Sequence, residues 1–202
     1  LLRLGVFNVA NRKSPFRYCP SCGEEVYTYS VQKEEGVEVR CAGCGFPLEL
    51  EPSPAIQGLD CIVIADDDKL FRSVLAELLL ERGFSMNVIP CESGQEFLTV
   101  ASERFHQELS IKLAILDIMM YPLDGTATAL ALRALEKGLN VRPPTPVLFL
   151  SAVRSDDTLR RLIARCQPAL YLNKGTDAAP EQLGSRLEKV MAYLLKHAHR
   201  RA

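Results

Sequence analysis

An apolar run that ends in a single acid, Lys112-Leu113-Ala114-Ile115-Leu116-Asp117, restricts the fold of this chain more than any other stretch. Four or more apolar residues stopped by a charge read as a strand buried on both faces, with its last residue emerging at the carboxyl edge of a sheet. From residue 59 onward such runs alternate with helical periodicity, which predicts an α/β fold of five strand-helix units around a parallel sheet. In open sheets of this kind the chemistry sits at the carboxyl edge. Asp117 is therefore the first candidate functional residue.

The units follow in order. Residues 61–65 are a continuous apolar strand, and Leu70, Val74, Leu75, Leu78 and Leu79 recur at helical spacing up to Gly83, a natural C-terminal stop. Residues 84–90 alternate as an edge strand would, and 92–107 read as a helix with Phe97, Leu98, Ala101 and Phe105 inward. After the strand ending at Asp117, Asp124-Gly125 opens an alanine-rich helix to Gly138. A proline-rich loop, 142–146, leads to a fourth strand, 147–150, ending at Ser151. Residues 156–166 form a short helix, and the fifth strand, 169–172, ends at Asn173-Lys174. Leu183, Leu187, Val190, Met191, Leu194 and Leu195 give the last helix a core face, which Gly184 weakens by about 1 kcal/mol relative to Ala.

The first part of the chain is different. Residues 1–15 are a leader carrying Arg3, Arg12 and Lys13 without an acid. Cys19-Pro20-Ser21-Cys22-Gly23 and Cys41-Ala42-Gly43-Cys44-Gly45 then form two C-x-x-C-G knuckles separated by 18 residues. Two residues between thiols let both sulfurs turn toward one ion, and the glycine permits the bend that follows. Between the knuckles, β-prone residues 26–31 and 37–40 flank Lys33-Glu34-Glu35-Gly36, a hairpin signal. The segment 16–50 resembles a zinc ribbon, with Cys19, Cys22, Cys41 and Cys44 as Zn2+ ligands; iron in the same shell and a pair of redox disulfides are the competing readings. A closed four-ligand shell points to a structural ion that supplies the folding energy of a segment too short to fold unaided. Tyr27 and Tyr29 alternate onto one face and could stack on bases. Glu24, Glu25, Glu34, Glu35 and Glu38 weigh against a phosphate-tracking surface and toward a protein partner. The stretch 45–58, with Pro47, Pro52 and Pro54, reads as a semi-stiff linker whose last part, 51–58, leads to a second domain at 59–198.

Charge and composition narrow the function. A net charge of -1, with 6 basic and 7 acidic residues in 1–58 and 18 of each beyond, gives no field toward nucleic acid or anionic lipid. No apolar run is long enough to span a bilayer, and the opening residues are too short for a secretory signal, so a cytoplasmic protein without membrane contact is expected. Cys61, Cys91 and Cys166 sit singly beside apolar segments, as small buried hydrophobes do.

The strand ends together suggest one site: Asp66-Asp67-Asp68, Asp117, Ser151 and Lys174 all follow the carboxyl ends of strands. Carboxylates a few ångströms apart repel, so one protonates or they share a divalent cation, and hard oxygen ligands with room for water suit Mg2+. A carboxylate can attack phosphorus to give an aspartyl phosphate, with metal and ammonium offsetting the charge and a hydroxyl donating to another oxygen.

These residues resemble the receiver domain of two-component response regulators over about residues 59 to 198. Ile64-Ala65-Asp66-Asp67 is similar to the acidic pair, with Arg72 at the usual offset. Asp117 falls on the phosphorylation site, Ser151-Ala152 on the hydroxyl-plus-small switch, Tyr171 on the aromatic switch and Lys174 on the signature lysine. The resemblance implies a flavodoxin-like doubly wound (βα)5 fold with sheet order 2-1-3-4-5. It also implies Mg2+ held by Asp66, Asp67, Asp117 and the backbone carbonyl of Met119, while Asp68 caps the next helix. Two departures stand out: proline falls one place late, in Met120-Tyr121-Pro122, and Gly175 follows Lys174 where the family has proline.

The expected function is a phosphorelay response regulator, not an enzyme beyond its own phosphotransfer and slow dephosphorylation. A histidine kinase or phosphotransfer protein supplies the phosphoryl group. Ser151 and Tyr171 then move inward and shift the surface of the fourth helix, fifth strand and fifth helix, where Arg160, Arg161 and Arg165 lie and where two copies would pair. The ribbon contacts an output protein. The alternatives are a transcription regulator holding nucleic acid through the ribbon, and a receiver gated by metal or redox state.

Overall fold

The computed structural model describes residues 16–33, 36–50, 56–175 and 180–198, with side chains of the last segment described from 182 onward. The leader, the hairpin tip at Glu34 and Glu35, positions 51–55 of the expected linker and the tail from His199 lie outside the described residues.

Three antiparallel strands, β1 (Phe16–Cys19), β2 (Glu24–Lys33) and β3 (Gly36–Cys41), form the first sheet in the order β1-β2-β3. The β2-β3 pairing runs to Lys33 opposite Gly36, as the hairpin signal predicts. The second sheet is parallel. It is built from β4 (Ile62–Ala65), β5 (Val88–Cys91), β6 (Leu113–Asp117), β7 (Val147–Ser151) and β8 (Ala169–Asn173), in the order β5-β4-β6-β7-β8. Counted within this sheet, that is the expected 2-1-3-4-5. Between and after the strands come α1 (Lys69–Glu81), α2 (Gly94–His106), α3 (Gly125–Gly138), α4 (Asp157–Arg165) and α5 (Pro180–Ala198).

Alternate residues of each buried strand feed the two faces of the sheet. Ile62, Ile64, Leu113, Ile115, Leu148, Leu150 and Leu172 pack with α1 and α5. Val63, Ala65, Ala114, Leu116, Val147 and Phe149 pack with α2, α3 and α4. Cys61, Cys91 and Cys166 are fully buried on this second face, and burial pushes their thiols up, Cys91 to about 12.

Three expectations change. β5 begins at Val88 rather than at residue 84, because Ser85 is tied by side-chain bonds: its Oγ donates to Leu59 O at 2.7 Å and accepts from Asn87 N at 3.0 Å. On α1 only Leu75, Leu78 and Leu79 are buried, whereas Leu70 is 74% exposed and Val74 also faces outward. Part of the stretch read as a linker is packed, on the described residues either side of 51–55. Phe46 is buried in the α1/α5 core, Leu48, Leu50 and Ile56 pack against it, and Leu59 bridges Ser85. Apolar residues between prolines had no period to betray them, but they had a core to enter.

Candidate functional site

Register brings the strand ends together. Ala65 pairs with Leu116, so Asp66 and Asp117 leave the sheet side by side. Asp117 pairs with Leu150 and Ser151 with Asn173, which brings Lys174 to the same edge. Asp66 is 1% and Asp117 6% exposed. Lys174 Nζ donates to Asp66 Oδ2 at 2.7 Å and lies 3.0 Å from Asp117 Oδ2. The ammonium also sits 4.3 Å above the Phe71 ring, a favourable cation-π geometry.

Oxygens of Asp66, Asp67 and Asp117 all lie within 4.8 Å of one another. Burial raises the Asp66 carboxyl above its ordinary value, and the pull of Lys174 does not overcome it. Burial also opposes the Lys174 charge, yet the Asp66 and Asp117 carboxylates outweigh it and hold the ammonium above its usual pKa. One cation thus faces three acids, and the excess of negative charge on hard oxygen donors fits a divalent ion such as Mg2+.

The loops are fixed by the same residues. Asp68 accepts from Leu70 N and Phe71 N and caps α1, as expected. Arg72 donates to the backbone oxygen of Asp66. Met119 N donates to Asp117 Oδ1 at 3.3 Å. The Tyr121-Pro122 peptide is cis, and Asp124 still caps α3 by accepting from Ala127 N at 2.8 Å. A Cβ on Gly125 would lie 2.0 Å from the backbone oxygen of Asp117, so glycine is required where α3 meets the acid.

Ser151 is fully buried, and its Oγ accepts from Val153 N at 3.1 Å. Tyr171 lies inside the fold, its hydroxyl donating to Val153 O and accepting from Asn173 Nδ2 at 2.8 Å. Burial pushes the phenol up to about 12. Both residues read as switches therefore hold the one loop between β7 and α4.

All seven cysteines of the chain are free, and four of them, Cys19, Cys22, Cys41 and Cys44, converge beside the first sheet. Cys19 Sγ lies 3.7 Å from Cys44 Sγ, and Cys22 Sγ 3.7 Å from Cys41 Sγ. A tetrahedron with metal-sulfur bonds of about 2.3 Å has edges of about 3.8 Å, so the donor set fits a four-thiolate ion. The amides of Cys22 and Cys44 each donate to the preceding cysteine sulfur at 3.4 Å. Hydrogen bonds from Cys19 and Cys22 draw the Cys41 and Cys44 thiols down.

The first sheet and its cysteine knuckles lie on the α4-β8-α5 face, the one expected to pair two copies. Asn173 N donates to Ser21 O at 2.7 Å, and Ser21 Oγ donates to Tyr171 O. Arg186 of α5, 5% exposed, donates to Pro20 O, Ser21 O and Asn173 O. Arg154 pairs with Glu24, and Arg160 donates to Ala42 O. The open edge of β8 is thereby met by the first cysteine knuckle at Ser21. Ser21, Arg186, Asn173 and Phe71 carry no motif; the one trace is an arginine at the centre of the apolar stripe of α5.

A parallel five-stranded sheet with an acid cluster and a lysine at its carboxyl edge defines a receiver-type signalling protein. The response regulator receiver domain family is matched across residues 62–187, and the chain belongs to it. Members of that family serve phosphorylation-controlled two-component signalling and are not conventional enzymes. Response regulator RR06 of Streptococcus pneumoniae serotype 2 is 35% identical over 97 residues, covering 48% of this chain and 38% of RR06. Transcriptional regulatory protein CpxR of Escherichia coli K12 is 36% identical over 95 residues, 47% of this chain and 34% of CpxR. ZraR of Salmonella typhimurium is 30% identical over 138 residues, 68% of this chain and 28% of ZraR. The chain spans less than two-fifths of the length of each of these relatives. Among solved structures, the receiver domain of the histidine kinase CKI1 from Arabidopsis thaliana, complexed with Mg2+ and BeF3-, shares the fold at a TM-score of 0.55 and 19% identity, covering 72% of this chain and 93% of that one. The Francisella response regulator 1452 receiver domain does so at 0.51 and 23%, covering 69% and 98%. Among the described residues no helix is long and apolar enough to cross a membrane.

Proposed function

We propose that this protein is a phosphorelay response regulator that accepts a phosphoryl group on Asp117, with a receiver at 59–198 and a zinc ribbon at 16–50 as its output. The observation that carries the reading is Lys174 Nζ held between Asp66 Oδ2 and Asp117 Oδ2 at 2.7 and 3.0 Å, with the Asp67 carboxylate beside them. In the reaction a carboxylate oxygen of Asp117 attacks the phosphorus of a phosphohistidine on a kinase or phosphotransfer protein. The new O-P bond forms as the P-N bond breaks, and the imidazole leaves with a proton from solvent. Lys174 offsets charge on the phosphoryl oxygens, and the Ser151 hydroxyl becomes their donor once it leaves Val153 N. Asp66, Asp67, Asp117 and the Met119 carbonyl would hold Mg2+, which when bound neutralises the phosphoryl oxygens during transfer.

The signal passes through the loop held by Ser151 and Tyr171. Beneath it lies a cavity of 190 Å3 lined by residues that include Cys22, Glu24, Arg154, Ser155 and Tyr171. Ser155 Oγ is buried there without a partner, which leaves the loop room and reason to rearrange. Zinc on Cys19, Cys22, Cys41 and Cys44 ties the ribbon that receives the movement. Its outer face, with Phe16, Tyr18, Tyr27 and Tyr29 exposed and Glu25 among them, takes a partner protein rather than nucleic acid.

Acetyl phosphate with Mg2+ should label the wild type at one residue and leave Asp117→Asn unlabelled. Label that persists in that variant would place the acceptor elsewhere. A salt-sensitive gel shift would move the ribbon to nucleic acid.

A further inference from the structure

We propose that Ser21 and Arg186 are positioning residues for Lys174, so that the metal state of the four-cysteine cluster sets how fast Asp117 takes up phosphate. The inference rests on the reading of Asp117 as the acceptor and adds a second site that controls it.

Lys174 needs outside support. Gly175 follows it at φ +84°, and glycine confines the backbone least of all residues. Its own N–H donates to Ser151 O at 2.8 Å, and the rest of the backbone restraint comes from its other neighbour. Asn173 donates through N to Ser21 O at 2.7 Å and accepts at O from Arg186 Nη2 at 2.6 Å. Its Oδ1 accepts from Gly175 N at 2.7 Å, so its side chain closes over the lysine to the far side. Both backbone groups of the residue before Lys174 are therefore bound by partners remote in sequence, and one of these partners is the first cysteine knuckle.

Arg186 makes the two partners one unit. Nε donates to Pro20 O at 2.8 Å, and Nη2 reaches Ser21 O at 3.3 Å as well as Asn173 O. A Cβ on Gly23 would lie 2.6 Å from Arg186 Cζ, so the glycine of the knuckle makes room for the guanidinium. Pro20 and Ser21 stand between Cys19 and Cys22. Their carbonyls are aimed by whatever gathers the sulfurs, and without an ion a segment of this size loses its folding energy. Loosening the knuckle takes two acceptors from a buried arginine and one from Asn173 N, and Lys174 is the next residue along the chain. Displacing a catalytic group by about 1 Å costs roughly a hundredfold in rate.

The test uses the full chain with zinc loaded. Amide exchange at Asn173, Mg2+ affinity and the acetyl phosphate labelling rate are measured for the wild type, Arg186→Lys, Gly23→Ala, and wild type stripped by a chelator and returned to Mg2+. Arg186→Lys keeps the charge and loses the fork, whereas Gly23→Ala, at φ +79°, strains the knuckle and displaces an intact Arg186. The expected result is faster exchange at Asn173 and a labelling rate lower by about ten- to a hundredfold, with Mg2+ affinity not reduced, because the three acids are untouched and a displaced ammonium competes less for Asp66 and Asp117. Zinc returned to the stripped protein restores both readouts. Faster exchange with an unchanged rate overturns the inference, as does a rate that falls only in step with Mg2+ affinity. A wild type that takes no label overturns the acceptor reading itself, whereas labelled wild type with unaffected variants overturns only the control by the cluster.

Discussion

At Lys174 one ammonium faces Asp66, Asp67 and Asp117, an imbalance that a divalent ion would offset in the proposed site. Mg2+ should therefore raise the melting temperature by binding the folded state alone. Asp67 is the exposed member of the trio and makes no bond within the sheet ladder, so Asp67→Asn should fold normally. It should raise the Mg2+ concentration for half of the shift by about tenfold, equivalent to about 1.4 kcal/mol, read from melts across a Mg2+ series. Unchanged Mg2+ dependence would remove Asp67 from the ligand set. A different residue pair sets stability. Glu136, 3% exposed, accepts from Arg133 Nη1 at 2.6 Å and Thr145 N at 2.7 Å, while Arg133 also donates to Cys166 O and Thr145 O. Arg133→Ala leaves a buried carboxylate without its cation and should cost about 3–5 kcal/mol in urea unfolding. The acids and lysine of the site were legible because each ends an apolar strand. Glu136 and Arg133 were not, since an i,i+3 charge pair on a helix reads the same whether solvated or enclosed.

Elements were legible where caps and periods agree. Asp68, Ser93, Asp124 and Asp156 each cap the helix that follows them, the strand-helix alternation gives the parallel sheet, and its order is the one the resemblance to receiver domains implies. The outward turn of Leu70 and Val74 was not, because five apolar residues on α1 cover more of the helix than the sheet can bury. The start of α3 joins element to site. Burial alone would raise the Asp124 carboxyl, but hydrogen bonds from Thr126 and Ala127 outweigh it and hold the group below the usual range. Its cap thus contributes stability above the unfolded pKa, and the contribution is lost as pH falls through the lower folded value. Asp124→Ala should cost about 1 kcal/mol at neutral pH and flatten that acidic limb; equal losses at neutral and acidic pH would show that the charge is not involved. Gly125→Ala is harsher, since its Cβ meets the backbone of Asp117 and not a side chain that can turn away. It should cost about 3 kcal/mol or more and slow labelling of Asp117 as well.

The two cysteine knuckles announce a small metal-held unit, and the alternation announces a second domain, but no local signal reports that one is seated on the other. Docking depends on Ser21, Asn173, Arg186 and Phe46, residues whose roles exist only once both surfaces are folded. Treated as an independent module, the ribbon would unfold without metal and leave the receiver as it was. The contacts argue otherwise. Phe46 is 2% exposed in the core shared with α1 and α5, and its ring meets Tyr193 at 5.3 Å. Losing a buried phenylalanine removes about 1.5–3 kcal/mol, and leaving Arg186 without its carbonyls adds about 1–3 kcal/mol. For a chain of this length about 1 kcal/mol shifts the melting temperature by 2–4 °C. Cys41→Ser, or removal of the cluster metal, should therefore lower the melting temperature of the receiver itself by about 5–24 °C. The receiver transition is identified in the same scan as the one that Mg2+ raises. If it stays in place while the ribbon unfolds, the interface on α4, β8 and α5 adds nothing to receiver stability, and the two domains are joined by chain alone.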